Sequence, residues 1–324
     1  MRVYKYIIEG IQEETGLTME EQKVSVVVTC YNHDKYIEQC LRSVFAQTHK
    51  NIELFVFNDG SIDRSGEIIE NVLVDSPLDK TQYFYHENMG VVKTKNKALL
   101  MVSGDFILFV DSDNFLDRDY IEKLLKCANK TNADIVYCDL YDPDKQEFFS
   151  KTKEYSLEEL FKGNFIDTCS LVRHSIVGNV KEEEYLNDKK MNDFDFFLQL
   201  IVYNGAKPQK CHDTKLNYRV LDNSRARTGK LSYTFEIYFY VVTKYLKFYP
   251  EIVQKAFKFN LCNLADSVDG LLEQIQERDG KIQEKDKKIQ DCAKRYGEVV
   301  DSKSWKIGRF ITFPLRKMKE LIKG

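Results

Sequence analysis

The sequence predicts an α/β domain built on a doubly wound, mostly parallel sheet flanked by helices, and three observations lead there. Short runs rich in β-branched and aromatic residues are apolar at nearly every position, as in strands covered on both faces. Stretches with helical spacing lie between those runs, and strands alternating with helices of that length join through crossovers into a parallel sheet. The composition of the 324 residues, 43% hydrophobic, 13% aromatic and 31% charged, is that of a globular chain and excludes collagen-like, mucin-like and low-complexity classes.

Val24–Cys30 (VSVVVTC) is the first strand, followed by Ile52–Phe57, Gln82–Tyr85, Phe106–Val110 and Ala133–Tyr137. The helices between them are Tyr36–Gln47, Arg64–Val74, Val91–Val102 and Asp119–Asn129; in the first, Ile37, Leu41, Val44 and Phe45 share one stripe. This alternation runs from Val24 to about Thr228 and marks a domain over residues 24–228 behind an N-terminal extension, 1–23. An aromatic-rich helical segment follows over 229–262, which reads as an acceptor platform or as core or dimer packing. Residues 263–300 repeat isoleucine every seventh position (Ile275, Ile282, Ile289), but Arg278, Lys285 and Cys292 come three positions later. That pattern fits a weak or short coiled coil or a solvated helical spacer. The tail is 301–324.

Net charge is −3, which argues against a protein built to coat nucleic acid. From Lys303 onward, however, seven basic residues stand against one acid, with Trp305, Phe310 and Phe313 among them. Such an amphipathic basic tail suits an anionic membrane surface, each cation contributing on the order of 1 kcal/mol; RNA or a partner protein are the other occupants that fit. The eight cysteines have no CxxC spacing, which favours reduced thiols and disfavours a zinc site. Met1–Gly10 lacks the pattern of a secretory signal and no run approaches the length of a membrane span, so a cytoplasmic protein with only peripheral membrane contact is expected.

Ligands of a doubly wound sheet sit beyond the carboxyl ends of its strands. Those ends here read Thr29-Cys-Tyr-Asn32, Asn58-Asp-Gly-Ser61 and Asp111-Ser-Asp-Asn114. Two carboxylates one residue apart, Asp111 and Asp113, can jointly approach a hard divalent cation that keeps phosphates as co-ligands; alone, the pair also reads as a turn or a helix cap. His33, His86, His174 and His212 have no spacing that suggests a metal site or a triad.

Further motifs follow in order: Asn88-Met-Gly-Val with Lys95-Asn96, Gly104-Asp-Phe-Ile-Leu-Phe-Val-Asp-Ser-Asp113, Asn192-Asp-Phe-Asp195 opening a helix, and Tyr218-Arg219. With the first two strand ends they resemble family 2 glycosyltransferases of the GT-A fold, over about two thirds of the chain. The resemblance implies a GT-A domain with a C-terminal helical extension and a nucleotide-sugar donor. It places Thr29 and Tyr31 against the base, Tyr31 by stacking, and has Asp59 accept the N3–H that uracil and thymine carry, favouring a UDP-sugar; as a residue of its own, Asp59 also reads as a turn cap before Gly60. Lys95 would neutralise diphosphate or support the site, or be an exposed helix lysine. Asn96 would be a structural hydrogen-bonder. Asp111 and Ser112 would meet the nucleotide-sugar, and Asp113 with Asp111 would hold Mn²⁺ or Mg²⁺.

Asp193 matches the family's base, a carboxylate facing the acceptor hydroxyl for in-line inversion; its other reading is an N-cap. Asp195 is expected to be structural. Many relatives add a histidine after the Tyr-Arg pair, and Leu221 stands here in that place, so a third metal ligand is absent or is Asp222. The tail resembles the Ser-x-Ser-Trp…Pro-Leu-Arg endings of bacterial enzymes that build cell-surface polysaccharides. The activity implied is inverting hexosyl or N-acetylhexosaminyl transfer to a glycan or lipid-linked acceptor at the inner face of the cell membrane, with a homo-oligomer possible in principle and no nucleic acid. Leu221 and Asn58 also suit a degenerate domain acting as a binding or scaffold subunit. A nucleotidyltransferase would need a Gly-rich basic loop after the first strand, which Thr29-Cys-Tyr-Asn32 is not.

Overall fold

A computed structural model of the chain describes residues 18–19, 21–187, 189–221 and 231–309. The chain falls into two compact units, Met1–Phe257 and Lys258–Gly324.

In the first unit the elements run β1 (Val24–Cys30), α1 (Ile37–Phe45), β2 (Ile52–Asp59), α2 (Ser65–Leu73), β3 (Lys80–His86), α3 (Val91–Leu99), β4 (Phe106–Asp111) and α4 (Tyr120–Thr131). They continue with β5 (Ile135–Asp142), β6 (Glu147–Ser150), α5 (Leu157–Lys162), β7 (Leu171–Arg173), α6 (His174–Val177), α7 (Asn192–Asn204), β8 (Pro208–Asn217), α8 (Leu231–Thr243) and the start of α9 (Pro250–Asp301). One eight-stranded sheet has the order β3-β2-β1-β4-β7-β5-β6, with β8 also on β5.

Strand residues two apart go to the same face, and this splits the core in two. Val24, Val26, Val28, Leu54, Val56, Leu108 and Val110 pack with α1, α2 and α4. Val27, Phe55, Phe57, Ile107 and Phe109 face the other way, onto α3, α5, α7 and α8. Both faces are covered, which is why β1, β2 and β4 are apolar almost throughout.

The β1–β2, β1–β4 and β2–β3 pairings are parallel, as expected, and so is β5–β8, which the sequence did not anticipate. The β4–β7, β5–β7 and β5–β6 pairings are antiparallel, so the sheet is mixed on that side. β7 has three residues and β6 four, too few to carry a period, and the polar β8 (PQKCHDTKLN) does not read as a strand.

The aromatic segment after residue 228 is core. Ile237, Tyr238, Val241, Val242 and Tyr245 of α8 and its following turn, with Val253 and Ala256 of α9, join the cluster that holds Phe161, Phe194 and Phe197. The compact unit therefore runs to Phe257, past the boundary that composition drew at 228.

In the second unit α9 continues to Asp301, and 303–309 are helical. Among the described residues no helix is long and apolar enough to cross a membrane. Asp222 and residues 310–324 of the tail lie outside the described residues.

Candidate active site

The register brings the polar strand ends side by side. Thr29 lies between Phe57 and Asp111, Cys30 beside Asn58, and Asp59 beside His86. β1 and β4 diverge here in sheet order, the switch point at which such sheets open a crevice. A cleft of about 820 Å³ occupies it, lined by Thr29, Tyr31, Asp59, Lys95, Asp111, Ser112, Asp113 and Asp193. Every predicted site residue thus meets in one cavity, joined by His33, Asp167, Thr168, Lys190, Tyr218 and Leu221.

The loop after β1 carries Tyr31, 46% exposed. It is tied to the loop after β2: Asn32 N–H donates to Ser61 Oγ at 3.0 Å and Ile62 N–H to Asn32 Oδ1 at 2.8 Å. Asp59 is buried, and its two oxygens accept the backbone N–H groups of Met89 (2.8 Å) and Gly90 (3.0 Å), fixing the turn that opens α3. Gly60 turns at φ +73, and a Cβ there would come within 2.5 Å of the Asn88 nitrogen, so the Asp-Gly pair meets both demands of this turn.

Lys95 is buried, which overturns the exposed-lysine reading. Its Nζ donates to Thr168 Oγ1 at 2.6 Å and lies 3.9 Å from Glu182 and 4.0 Å from Asp111. Burial works to lower its pKa, but Glu182, Asp111 and Asp193 outweigh that and raise it. Asn96 exchanges hydrogen bonds with the backbone of Glu182 at 2.7 and 2.8 Å, the structural role expected of it.

At the end of β4, burial and then the Asp111 charge push the Asp113 carboxyl up to about 7. Asp167 is raised to about 7 by the same two causes in the same order. Arg219 steadies this turn: its guanidinium donates to the Asp113 carbonyl at 2.5 Å and to Gln39, and its N–H donates to Asn114 Oδ1 at 3.1 Å. Ser112 is buried with its Oγ 2.7 Å from His33 Nδ1, so a histidine without an evident pattern lies in the cleft wall.

A hard divalent cation fits this donor set: two neighbouring carboxylates, one of them largely desolvated. Among the described residues no group of three or more His, Cys, Asp or Glu could hold a metal ion. Two carboxylates are a common protein share of a Mg²⁺ shell, the remaining ligands being phosphate and water oxygens.

Asp193 joins the cleft from α7. α7 begins at Asn192, and the residue ahead of it, Met191, has φ 68 and makes no capping side-chain bond. Asp193 therefore lies inside the first turn, where negative charge is favoured, and the N-cap reading does not describe it. Its Oδ2 accepts Asn164 Nδ2 at 2.9 Å. Asp195 is fully buried and accepts Lys244 Nζ at 2.7 Å and Tyr245 OH at 3.0 Å, a structural role as expected.

The sequence reading missed Asp167, Thr168 and Glu182, which lie in or around β7 and the turns before α7, where no apolar run frames them.

Comparison with known proteins gives the following. The profile of Glycosyl transferase family 2 matches residues 25–181. The glycosyltransferase GlyA of Streptococcus pneumoniae is 39% identical over 128 residues, 39% of this chain and 18% of GlyA. An uncharacterized glycosyltransferase of Haemophilus influenzae is 32% identical over 173 residues, 50% of this chain and 68% of the relative. The chain spans less than half the length of the relatives GlyA, EpsH and GlyG. Among solved structures, S. aureus TarS 1-349 in complex with UDP-GlcNAc superposes with a TM-score of 0.62 at 18% identity, covering 74% of this chain and 73% of that one. The fold is accordingly of the GT-A type, with a C-terminal helical extension.

Proposed function

The chain belongs to glycosyltransferase family 2, and from that premise we propose an inverting, metal-assisted transfer of a hexosyl or N-acetylhexosaminyl unit from a UDP-sugar to a hydroxyl of a growing bacterial surface glycan. The observation that carries this is the convergence, in one cleft, of Tyr31 and Asp59 at the β1–β2 side, the Asp111–Asp113 pair at the end of β4, and Asp193 on α7.

Tyr31 offers an exposed ring on which a base stacks, and Thr29 lines the same cleft. Asp59 Oδ2 keeps a lone pair beyond its bond to the Gly90 N–H and can accept the N3–H of uracil, while Oδ1 meets both the Met89 N–H and His86 Nδ1, the latter at 3.3 Å. Asp111 and Ser112 meet the ribose and diphosphate side, and Lys95, 4.0 Å from Asp111, supports it from the same cleft wall. Asp113 and Asp111 would hold Mg²⁺ or Mn²⁺, which supplies Lewis-acid stabilisation of the charge on the departing diphosphate. Asp193 takes the proton of the acceptor hydroxyl as its oxygen bonds to the anomeric carbon opposite the leaving group, and the configuration inverts. That a relative's structure carries UDP-GlcNAc supports a uridine donor.

In this reading the GT-A domain begins at residue 24, residues from 258 on form a helical extension, and the basic tail from Ser302 holds the protein peripherally to the inner membrane face, where a lipid-linked acceptor would be met. Asp193→Asn tests the reading: turnover should fall by about 10²-fold or more while UDP-sugar binding persists. A wild-type rate would refute Asp193 as the base. Leu221, in the cleft where relatives add a histidine, favours a second reading, a degenerate domain that binds donor without transferring it. Donor hydrolysis assays with and without Mn²⁺ separate the two.

A further inference from the structure

From Leu261 six of the exposed large apolar side chains of α9 share one register: Leu261, Val268, Ile275, Ile282, Ile289 and Tyr296 recur every seventh residue, each 46–69% exposed, with Leu271, Leu272 and Val299 exposed beside them. The stripe is twice as long as the three isoleucines alone suggest. A long helix whose apolar stripe meets only water gains no packing, and helices in proteins owe most of their stability to packing.

We infer that residues 261–296 pair with a second copy of this chain as a parallel, in-register, two-stranded coiled coil. With the stripe at heptad position a, position d carries Leu264, Leu271, Arg278, Lys285, Cys292 and Val299. The first two heptads have both seam positions apolar and hold the pair together, and β-branched residues at a with leucine at d favour two strands. Arg278 and Lys285 favour two strands as well, since their long stems can cover a narrow seam while the charged ends reach water.

Direction follows from the flanks. Position g carries Lys281, Lys288 and Arg295, and position e carries Asp279 and Asp286. Parallel strands set g against e of the partner five residues on, so Lys281 meets Asp286, Gln274 meets Asp279, and Lys288 and Arg295 meet the uncharged Ala293 and Val300. Antiparallel strands would set g against g and e against e, with like charges on both flanks. Within one chain Lys281 and Lys288 bond Glu277 and Glu284 one turn earlier, at 2.5 and 2.6 Å, which supports the helix itself.

The two free cysteines of α9 report the geometry. Cys292, at d, faces its own copy across a parallel seam, whereas Cys262, at b, points away. Diamide joins facing thiols by taking one thiolate onto its N=N bond; the second thiol displaces it as the disulfide forms, and two electrons and two protons leave as the hydrazine.

The test uses the full chain. Light scattering on the reduced protein should give twice the 38.0 kDa of one chain. Diamide should cross-link wild type and Cys262→Ser but not Cys292→Ser. Ile282→Asp should weaken the dimer by about 10²-fold or more, since two buried isoleucines are lost. Asp286→Lys should weaken it about tenfold, and Lys281→Asp added to it should restore it. A monomer or a trimer would overturn the inference. So would a dimer that Cys292→Ser leaves cross-linkable, or one that never cross-links, which marks an antiparallel pair.

Discussion

Glu53 is the acid at the start of β2, at the far end of that strand from Asp59, and replacing it by glutamine separates what holds the site in place from what does the chemistry. Its carboxylate is 1% exposed and accepts Lys80 Nζ at 2.6 Å, Ser25 Oγ at 2.5 Å, and Ser103 N–H and Oγ at 2.7 and 2.9 Å. Ser25 Oγ in turn accepts the Gly104 N–H at 2.8 Å, so one side chain ties β1, β2 and β3 to the turn that launches β4. Burial acts to raise the carboxyl, but Lys80, Ser25 and Ser103 outweigh it and hold it at about 2 instead of 4.5. That difference is worth roughly 3 kcal/mol at neutral pH. Lys80 is 43% exposed, and screening there trims the value to about 2 kcal/mol. Because the folded-state value is the lower one, the stabilisation is complete above the ordinary glutamate value and drains away as pH falls from there toward about 2. In urea unfolding at pH 7, Glu53→Gln should be less stable than wild type by about 2 kcal/mol, and by under half of that near pH 3. Its turnover at saturating donor should match wild type, because the network lies at the opposite end of the strands from the cleft. Equal stability at pH 7, or a gap that does not narrow on acidification, would refute the argument.

Asp113→Ala should abolish Mn²⁺-dependent UDP binding in calorimetry; equal affinity in both proteins would remove Asp113 from the metal site. Leu221→His adds an imidazole to the wall that holds Asp111 and Asp113, and should tighten Mn²⁺ binding by about tenfold, 1.4 kcal/mol, in the same titration. Deleting Ser302–Gly324 should leave transfer to a soluble acceptor analogue intact while releasing the protein from anionic liposomes; unchanged sedimentation at physiological salt would count against a membrane role.

The parallel half of the sheet was legible because its strands are buried on both faces, and burial writes itself as unbroken apolar runs. The antiparallel half was not. Leu171–Arg173 becomes a strand because β4 and β5 leave a slot between them, with Leu171 opposite Leu108 and Val136, and nothing within three residues announces such a slot. The end of the first unit was hidden for a related reason. Tyr238 and Tyr245 read equally as platform or core, and only their packing with Phe161, Phe194 and Tyr203 distinguishes the two.

The site shows the same division in sharper form. Asp59, Asp111 and Asp113 could be found because each follows a legible strand, and topology dictates what stands at a strand end. What no strand end reveals is how the charges balance. Lys95 looks like any helix lysine in sequence, yet it is buried between Asp111 and Glu182, contacts that span 16 and 87 residues of chain. A buried acid cluster with no cation of its own would drive its carboxyls toward protonation, as Asp113 and Asp167 already tend to be. Lys95 offsets part of that repulsion at Asp111 from within the cleft wall, leaving the rest of the acid cluster to be neutralised by whatever enters the cleft. The site is thus built short of positive charge, and under the proposed reading that deficit is what favours entry of a divalent cation beside Asp111 and Asp113.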